Sequence, residues 1–171
     1  MSKKDELKKN IEDRNLSPEN IFIASFIAGI SSFGILNQAV IAMAARQIGK
    51  DLAEYYSVTK SDTPDSKAAV IDNCISSIEK LQSLIHISDD ITCNDDNGVI
   101  LTKIKASTCR YCPKGVGHAE LSGTLCPFPT LIEQFINTLN DKELIKVLKE
   151  RAVPLLKKVD DWCVIRYIES V

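Results

Sequence analysis

The feature that most constrains the fold is a run of 25 residues without a charged side chain, from Ile21 to Ala45. A run of that length is long enough to cross a bilayer as one helix. Its middle, however, holds two glycines and two serines within six residues, which predicts a break between two shorter helices. The mean hydropathy of the chain is −0.03, and no aromatic belt or basic flank marks the run. We therefore expect core helices of a soluble domain and no membrane span.

The length and charge of the chain limit its partners and its location. With 171 residues it can form one domain whose core needs no disulfides. A net charge of −2 provides no broad cationic surface for phosphates, so we expect no nucleic-acid partner. Residues 1–16 carry mixed charge without the apolar segment of a secretory signal, which predicts a charged N-terminal extension of a cytoplasmic protein. Residues 17–171 are then expected to form a single domain.

Local signals along this domain predict helices first and strands later. Ser17 and Pro18 are a typical N-cap and first residue of a helix. β-rich runs on both sides of Asn97-Gly98 predict a hairpin. A further helix is expected from Pro129, and Trp162 to Ile168 is typical of a strand buried on both faces. The segment Lys142 to Val153 fits either a helix or an edge strand.

The segment from Thr108 to Pro129 holds three of the six cysteines and one of the two histidines. Cys109 and Cys112 have the C-x2-C spacing that lets two thiolates face one cation, and Cys126 follows after thirteen residues. A closed zinc site needs a fourth ligand, for which Cys163 and His118 are the candidates. In a reducing compartment, cysteines in this pattern indicate metal or redox chemistry more often than structural disulfides.

Other uses of these thiols stay open at this point. An iron–sulfur cluster takes the same four cysteines. Cys126 just before a helix, with Lys114 nearby in sequence, also suits a reactive thiolate, and simple burial is the third alternative. The chain has no cofactor fingerprint and no spacing that nominates a catalytic constellation, which favours a protein that is not an enzyme.

Four segments in order resemble one known family: FGILNQAVIAMAARQIGKDLAEYY, the predicted hairpin, LCPFPTLIEQFI and WCVIRYI. Together they resemble the 4-vinyl-reductase domain family of predicted hydrocarbon-binding proteins, and the cysteine-rich segment is similar to that of archaeal members. The resemblance runs from Phe33 to Glu169 and includes Arg46, Gly49, Cys126 and Cys163. It implies an α+β fold: N-terminal helices packed on a small antiparallel sheet, with the cysteine-rich loop leading into a further helix and C-terminal strands.

The resemblance further implies a hydrophobic small-molecule ligand, a structural zinc and a homodimer formed through the N-terminal helices. It favours a strand within Lys142 to Val153. Of the family's zinc ligands only Cys126 and Cys163 have counterparts here, because the family's glutamate-x-x-cysteine before the last strand is missing. Cys109 and Cys112 would then supply the missing thiolates.

Three functional hypotheses follow. The first is a small-molecule-binding domain, a sensor or carrier, whose apolar pocket lies between the N-terminal helices and the sheet. The residues expected to line that pocket are Phe26, Phe33, Met43, Phe128 and Phe135. The second hypothesis is a reductase or a thiol or iron–sulfur redox protein that uses the cysteine cluster. The third is an interaction subunit of a larger assembly.

Overall fold

The computed structural model of the protein describes residues 3–60, 69–112, 116, 125–150 and 154–170. Five helices and five strands lie within these ranges. In chain order they are α1 (Lys3–Arg14), α2 (Pro18–Ser32), α3 (Gln38–Thr59), α4 (Val70–Ile85), β1 (Ile91–Asp96), β2 (Val99–Lys105), α5 (Phe128–Leu139), β3 (Ile145–Val147), β4 (Leu156–Val159) and β5 (Trp162–Glu169).

The strands form one antiparallel sheet in the order β1-β2-β5-β3, with β4 also paired to β5. β1 and β2 are the two arms of the predicted hairpin, with Asn97 and Gly98 at positive φ in its turn. β5 pairs with β2 along its whole length, and β4 and β3 share its other edge. With the helices before and between these strands, the fold is α+β, as expected.

The core lies where α5 packs between α3 and the sheet. Ile132 and Phe135 of α5 are fully buried with Ile165 and Tyr167 of β5. The Tyr167 hydroxyl donates a hydrogen bond to the carbonyl of Pro129 at the start of α5, over 3.1 Å. This one bond joins the middle of the sheet to the first turn of the helix that covers it.

The uncharged run is divided between two helices, as its glycine and serine cluster predicts. α2 begins after the Ser17 N-cap and ends at Ser32. Gly34 then turns the chain at a φ of +72°, and the Asn37 side chain accepts a hydrogen bond from Val40 N to start α3. In the part of the chain that the structure describes, no helix combines the length and apolar character needed to cross a membrane.

One detail of the C-terminal half differs from the sequence-based expectations, and a second resolves an alternative that the sequence left open. β5 is not buried on both faces: Ile165 and Tyr167 face the core, while Arg166 pairs with Glu150 and Ile168 is 39% exposed. The helices cover only one side of this sheet, so alternate residues face outwards. The ambiguous segment Lys142 to Val153 contains the short edge strand β3, in agreement with the resemblance.

Candidate functional site

The turn that carries Cys109 and Cys112 leaves β2 and is held on two sides by backbone hydrogen bonds. Ala106 N donates to the carbonyl of Asp161, in the turn between β4 and β5, over 2.7 Å. Arg110 N donates to the carbonyl of Ile87, just after α4, over 2.9 Å. We call residues 106–112 the cysteine turn. Its position between the last hairpin and the end of α4 follows from these contacts.

Helix α1 also holds the cysteine turn. The Arg14 guanidinium, in the last turn of α1, donates from Nη1 to the carbonyl oxygens of Ala106 (3.2 Å) and Cys109 (2.6 Å). The residues predicted as a charged extension therefore include a helix whose end is joined to the candidate site. Sequence reasoning missed this role, because a single arginine in a mixed-charge helix gives no signal of its distant partner.

The other two candidate cysteines approach the turn from different elements. Cys126 lies two residues before α5, and Cys163 lies in β5 opposite Ile104 of β2. Cys109 is buried, while Cys112, Cys126 and Cys163 are partly buried. All four are free thiols. Three separate stretches of the chain thus contribute sulfur atoms to one region.

The pKa shifts of three of these thiols include repulsion from the other cysteines of the set. The pKa of the Cys109 thiol is raised to about 12, chiefly by burial and to a smaller extent by Cys112 and Cys163. Burial also raises the pKa of Cys126 well above its ordinary value, with added repulsion from the other three thiols. The pKa of Cys163 rises for the same reasons, burial first and Cys112 next. Each of the four is therefore within electrostatic range of the others, and we call them the thiol cluster.

The donor chemistry of the thiol cluster suits zinc, since four cysteines make a common structural site. A bound cation also offsets the cost of ionising buried thiols. The described residues do not, however, form a closed site: no three cysteine, histidine, aspartate or glutamate side chains among them are arranged to hold an ion. The sulfur atoms would have to move inwards to coordinate one. His118, the predicted substitute ligand, lies outside the described residues.

The burial of Cys126 bears on the redox alternative. The backbone N–H of Phe128 lowers the pKa of the Cys126 thiol, in the direction expected at a helix N-terminus. Burial outweighs that effect, so the net shift of the pKa is upwards. A thiol of this kind is protonated near neutral pH, whereas thiol-based catalysis uses the thiolate.

The five residues predicted to line an apolar pocket are divided between surface and core. Phe26, Phe33 and Met43 are 60%, 77% and 68% exposed, on or next to α2 and α3. Phe128 and Phe135 are 2% and 0% exposed, within the core around α5. The structure does not bring these five side chains together.

A cavity of about 540 Å³ adjoins the cysteine turn. Three parts of the chain line it: the α1–α2 connection, the end of α4, and the two residues between Cys109 and Cys112. Its lining residues are Asn15, Leu16, Ser17, Glu19, Asn20, Leu84, Ile85, His86, Arg110 and Tyr111. We call this space the turn cavity. Two sequence signals fall in this region, the helix start at Ser17 and the C-x2-C turn. Each predicts local structure, and neither predicts that the two would line one cavity.

Apolar side chains are also exposed on the N-terminal helices. Phe22 and Phe26 stack with their ring centroids 6.2 Å apart on the outer side of α2. We define the α2–α3 apolar surface by its six large exposed side chains. They are Phe22, Phe26, Phe33, Ile35, Val40 and Met43.

Comparison with known proteins places the chain in a family. The model of the MJ0207 family matches residues 34–169, from the α2–α3 connection to the end of β5. The chain belongs to the MJ0207 family. The range that matches this family includes the whole thiol cluster and excludes α1 and α2.

One relative is the uncharacterized protein MJ1342 of Methanocaldococcus jannaschii, which is 37% identical over 68 residues. The matched stretch covers 38% of this chain and 56% of that protein, so the chain spans little more than half of the relative's length. The names MJ0207 and MJ1342 indicate neither a ligand nor a reaction. The resemblance to the 4-vinyl-reductase domain family stays a prediction.

Proposed function

We propose that the protein is a small-molecule-binding domain, a sensor or carrier, built around a structural zinc site. The ligands are Cys109, Cys112, Cys126 and Cys163, with His118 as the substitute for one of them. The observation that carries the proposal is the thiol cluster, in which four free cysteines from three stretches of the chain lie within electrostatic range of one another. Burying four thiols together without a shared partner has no evident packing benefit over alanine or valine.

The zinc would have a structural task in this proposal: Cys109, Cys112, Cys126 and Cys163 would hold it as thiolates, and the ion would offset part of their charge and link their three stretches of chain. The chain's own residues decide what is joined. Cys109 and Cys112 belong to the turn after β2, Cys126 to the approach to α5, and Cys163 to the central strand β5. Hydrogen bonds from Arg14 and to Asp161 position the turn for this role.

Metal analysis of single Cys→Ser variants tests the zinc site. Protein purified without oxygen should contain one zinc per chain, and each variant at the four positions should lose most of it. Cys93→Ser is the matched control, because Cys93 lies half-buried in β1 and is not part of the cluster. Full zinc in Cys163→Ser would contradict the proposed ligand set. A visible absorption band with iron in place of zinc would favour the iron–sulfur alternative.

A hydrophobic small molecule as the ligand remains part of this proposal, without the predicted five-residue lining, whose members are divided between surface and core. Native mass spectrometry of freshly purified protein tests the binding role, with a co-purified small molecule as the expected result. The redox alternative has less support, because burial keeps the pKa of Cys109, Cys126 and Cys163 high. The six free cysteines fit the expected cytoplasmic location, where thiols stay reduced.

The α2–α3 apolar surface supports a homodimer. A buried aromatic side chain covers about 150 to 250 Å², so the six exposed side chains approach the roughly 800 Å² per partner of a standard interface. Glu19 is the only charged residue of α2, which limits the desolvation cost of covering this helix with a second copy.

Light scattering after gel filtration measures the oligomeric state. The wild-type chain should be a dimer, and Phe26→Asp should make it a monomer because the charge would be buried at the interface. Tyr55→Asp is the control, since Tyr55 is an exposed aromatic residue of α3 outside this surface. If the wild-type protein is a monomer, the homodimer proposal fails. The interaction-subunit hypothesis then remains as the explanation of this exposed surface.

A further inference from the structure

The turn cavity lies where three elements meet, and its volume of about 540 Å³ is within the range typical of small-molecule sites. One wall is the start of α2, a second is the last turn of α4, and the third is formed by Arg110 and Tyr111 of the cysteine turn. Polar and apolar groups line it in similar measure. Such a lining suits a ligand with one polar end and one apolar end.

The cationic groups around the cavity already have partners. Arg110 donates from Nη2 to Asp89 Oδ1 over 2.6 Å and from Nη1 to the carbonyl of His86 over 3.0 Å. The N–H groups in the first turn of α2 are also satisfied: Asn20 N by the Ser17 side chain and Ile21 N by the Ser17 carbonyl. An anion entering the cavity would have to displace one of these contacts, so the site does not favour it.

The negative charge of the Glu19 carboxylate, by contrast, is not offset by an ion pair among the described residues. Among the ion pairs of the described residues, none includes Glu19, and Asp89 already offsets the charge of Arg110. The Ser17 side chain holds the pKa of Glu19 below its ordinary value, so this carboxylate stays ionised. The two helix ends at the cavity oppose each other, because the C-terminal end of α4 carries a partial negative charge and the start of α2 a partial positive one. Glu19 is therefore the one charged side chain of the lining whose charge no ion pair of the described residues offsets.

The apolar part of the lining is held in place. Leu16 is buried and Leu84 and Ile85 are half-buried, and they form the apolar wall. The Tyr111 hydroxyl donates to the carbonyl of Ile85 over 2.8 Å, and its ring packs edge-on against Phe128 with centroids 6.0 Å apart.

We propose that the turn cavity binds a small organic ammonium ion, with the ammonium group at Glu19 and an apolar body against Leu84, Ile85 and Tyr111. This inference rests on the proposed function as a small-molecule-binding domain and names the site and the charge of the ligand. Because Arg110 and Tyr111 separate two members of the thiol cluster, an occupied cavity contacts the cysteine turn directly.

Three probes of one shape test the charge preference: benzylammonium, benzyl alcohol and benzoate. Each is titrated into full-length, metal-replete protein in low-salt buffer, and NMR follows the backbone amide shifts of residues 16, 17, 19 and 20, of residues 84–86 and of residues 110–111. Benzylammonium should cause saturable shifts and bind at least about fivefold more tightly than benzyl alcohol. Benzoate should cause none.

The variants separate the role of Glu19 from a general effect of charge. Glu19→Gln should weaken benzylammonium about fivefold, and Glu19→Lys should abolish its binding. Glu6→Gln removes the same charge from the exposed side of α1 and should leave binding unchanged. Equal affinity in wild type and Glu19→Gln, or tighter binding of benzoate than benzylammonium, would overturn the inference.

The absence of saturable shifts with benzylammonium also overturns it, and native mass spectrometry then separates two cases. If a small molecule is still found bound to the purified protein, the proposed function stands and the ligand lies elsewhere. If no bound molecule is found and no probe binds, the proposed function fails together with the inference.

Discussion

At the scale of single residues, Gly49 shows how closely two helices approach. It lies in α3, and a Cβ added there would meet the Leu131 carbonyl oxygen of α5 at 2.5 Å and Phe135 N at 3.2 Å. These contacts are with backbone atoms, which cannot rotate away as side chains do. A glycine in a helix interior is normally unfavourable, so its presence here follows from the α3–α5 packing.

Gly49→Ala is expected to destabilise the protein by about 2 kcal/mol, because the overpacking cost exceeds the gain in helix propensity. Urea denaturation of purified protein measures the free energy of unfolding. Gly29→Ala is the matched control: it lies in α2 with nothing near its added Cβ and should be neutral or stabilising by up to about 1 kcal/mol. Equal effects of the two substitutions would contradict the close approach of α3 and α5.

Cys74, the buried thiol of α4, is expected to be unreactive in the folded protein. Burial raises its pKa to about 12, so the thiol is protonated at pH 8, and its side chain is inaccessible to solvent. Mass spectrometry after iodoacetamide treatment at pH 8 should find Cys74 unmodified in native protein and alkylated in urea. Rapid modification under native conditions would show that α4 opens readily.

At the scale of elements, Asn137 attaches the short edge strand β3 to α5. Its Oδ1 accepts hydrogen bonds from Leu144 N (2.9 Å) and Ile145 N (3.1 Å), and its Nδ2 donates to the carbonyl of Ile145 (2.9 Å). Glu133 of the same helix accepts a further bond from Val147 N over 2.7 Å. A strand of three residues has few sheet hydrogen bonds, so these side chains complete its backbone pairing.

Asn137→Ala should lower the free energy of unfolding by about 2 kcal/mol, because it leaves two backbone N–H groups and a carbonyl without partners. Hydrogen exchange should become faster at the amides of Leu144 and Ile145 and stay unchanged in β2. Asn137→Asp keeps the acceptor for both N–H groups but sets its carboxylate against the Ile145 carbonyl, so it should destabilise the protein while the amides of Leu144 and Ile145 stay more protected than in Asn137→Ala. Unchanged exchange in Asn137→Ala would mean that the sheet alone holds β3.

At the scale of the whole molecule, the thiol cluster links parts of the chain that are distant in sequence. The cysteine turn, the approach to α5 and the strand β5 meet there, and Arg14 adds the end of α1. The proposed zinc would therefore stabilise the domain as a unit, since its ligands are brought together only in the folded state.

Removing the metal with a strong chelator should lower the midpoint of thermal unfolding by about 10 °C. This corresponds to a loss of roughly 3 to 4 kcal/mol for a chain of this length. Differential scanning calorimetry measures the midpoint, and restored zinc should reverse the change. Cys126→Ser protein serves as the control, because the chelator should have no further effect on it. An unchanged midpoint in the wild-type protein would argue against a structural metal.

Local rules predicted much of the fold and part of the site. The Ser17 cap, the Asn97-Gly98 turn and the start of α5 near Pro129 each depend on neighbours within a few residues, and each is confirmed. β4 was missed because its turn uses Asp160 at positive φ, without a glycine to indicate it. The gathering of the thiol cluster follows the predicted set of cysteines, while zinc itself stays a prediction.

The sequence by itself determined where helices start and stop, which side chains are apolar, and which thiols are available, because short-range sterics and capping decide these features. Only the tertiary structure decided which apolar side chains are covered: Phe128 and Phe135 are buried, whereas Phe26 and Phe33 are exposed. It also brought Arg14 to the cysteine turn and Glu19 to the turn cavity. Hydrophobicity determines how much free energy a side chain gains from burial, but the packing of α5 on the sheet decides which side chains are buried.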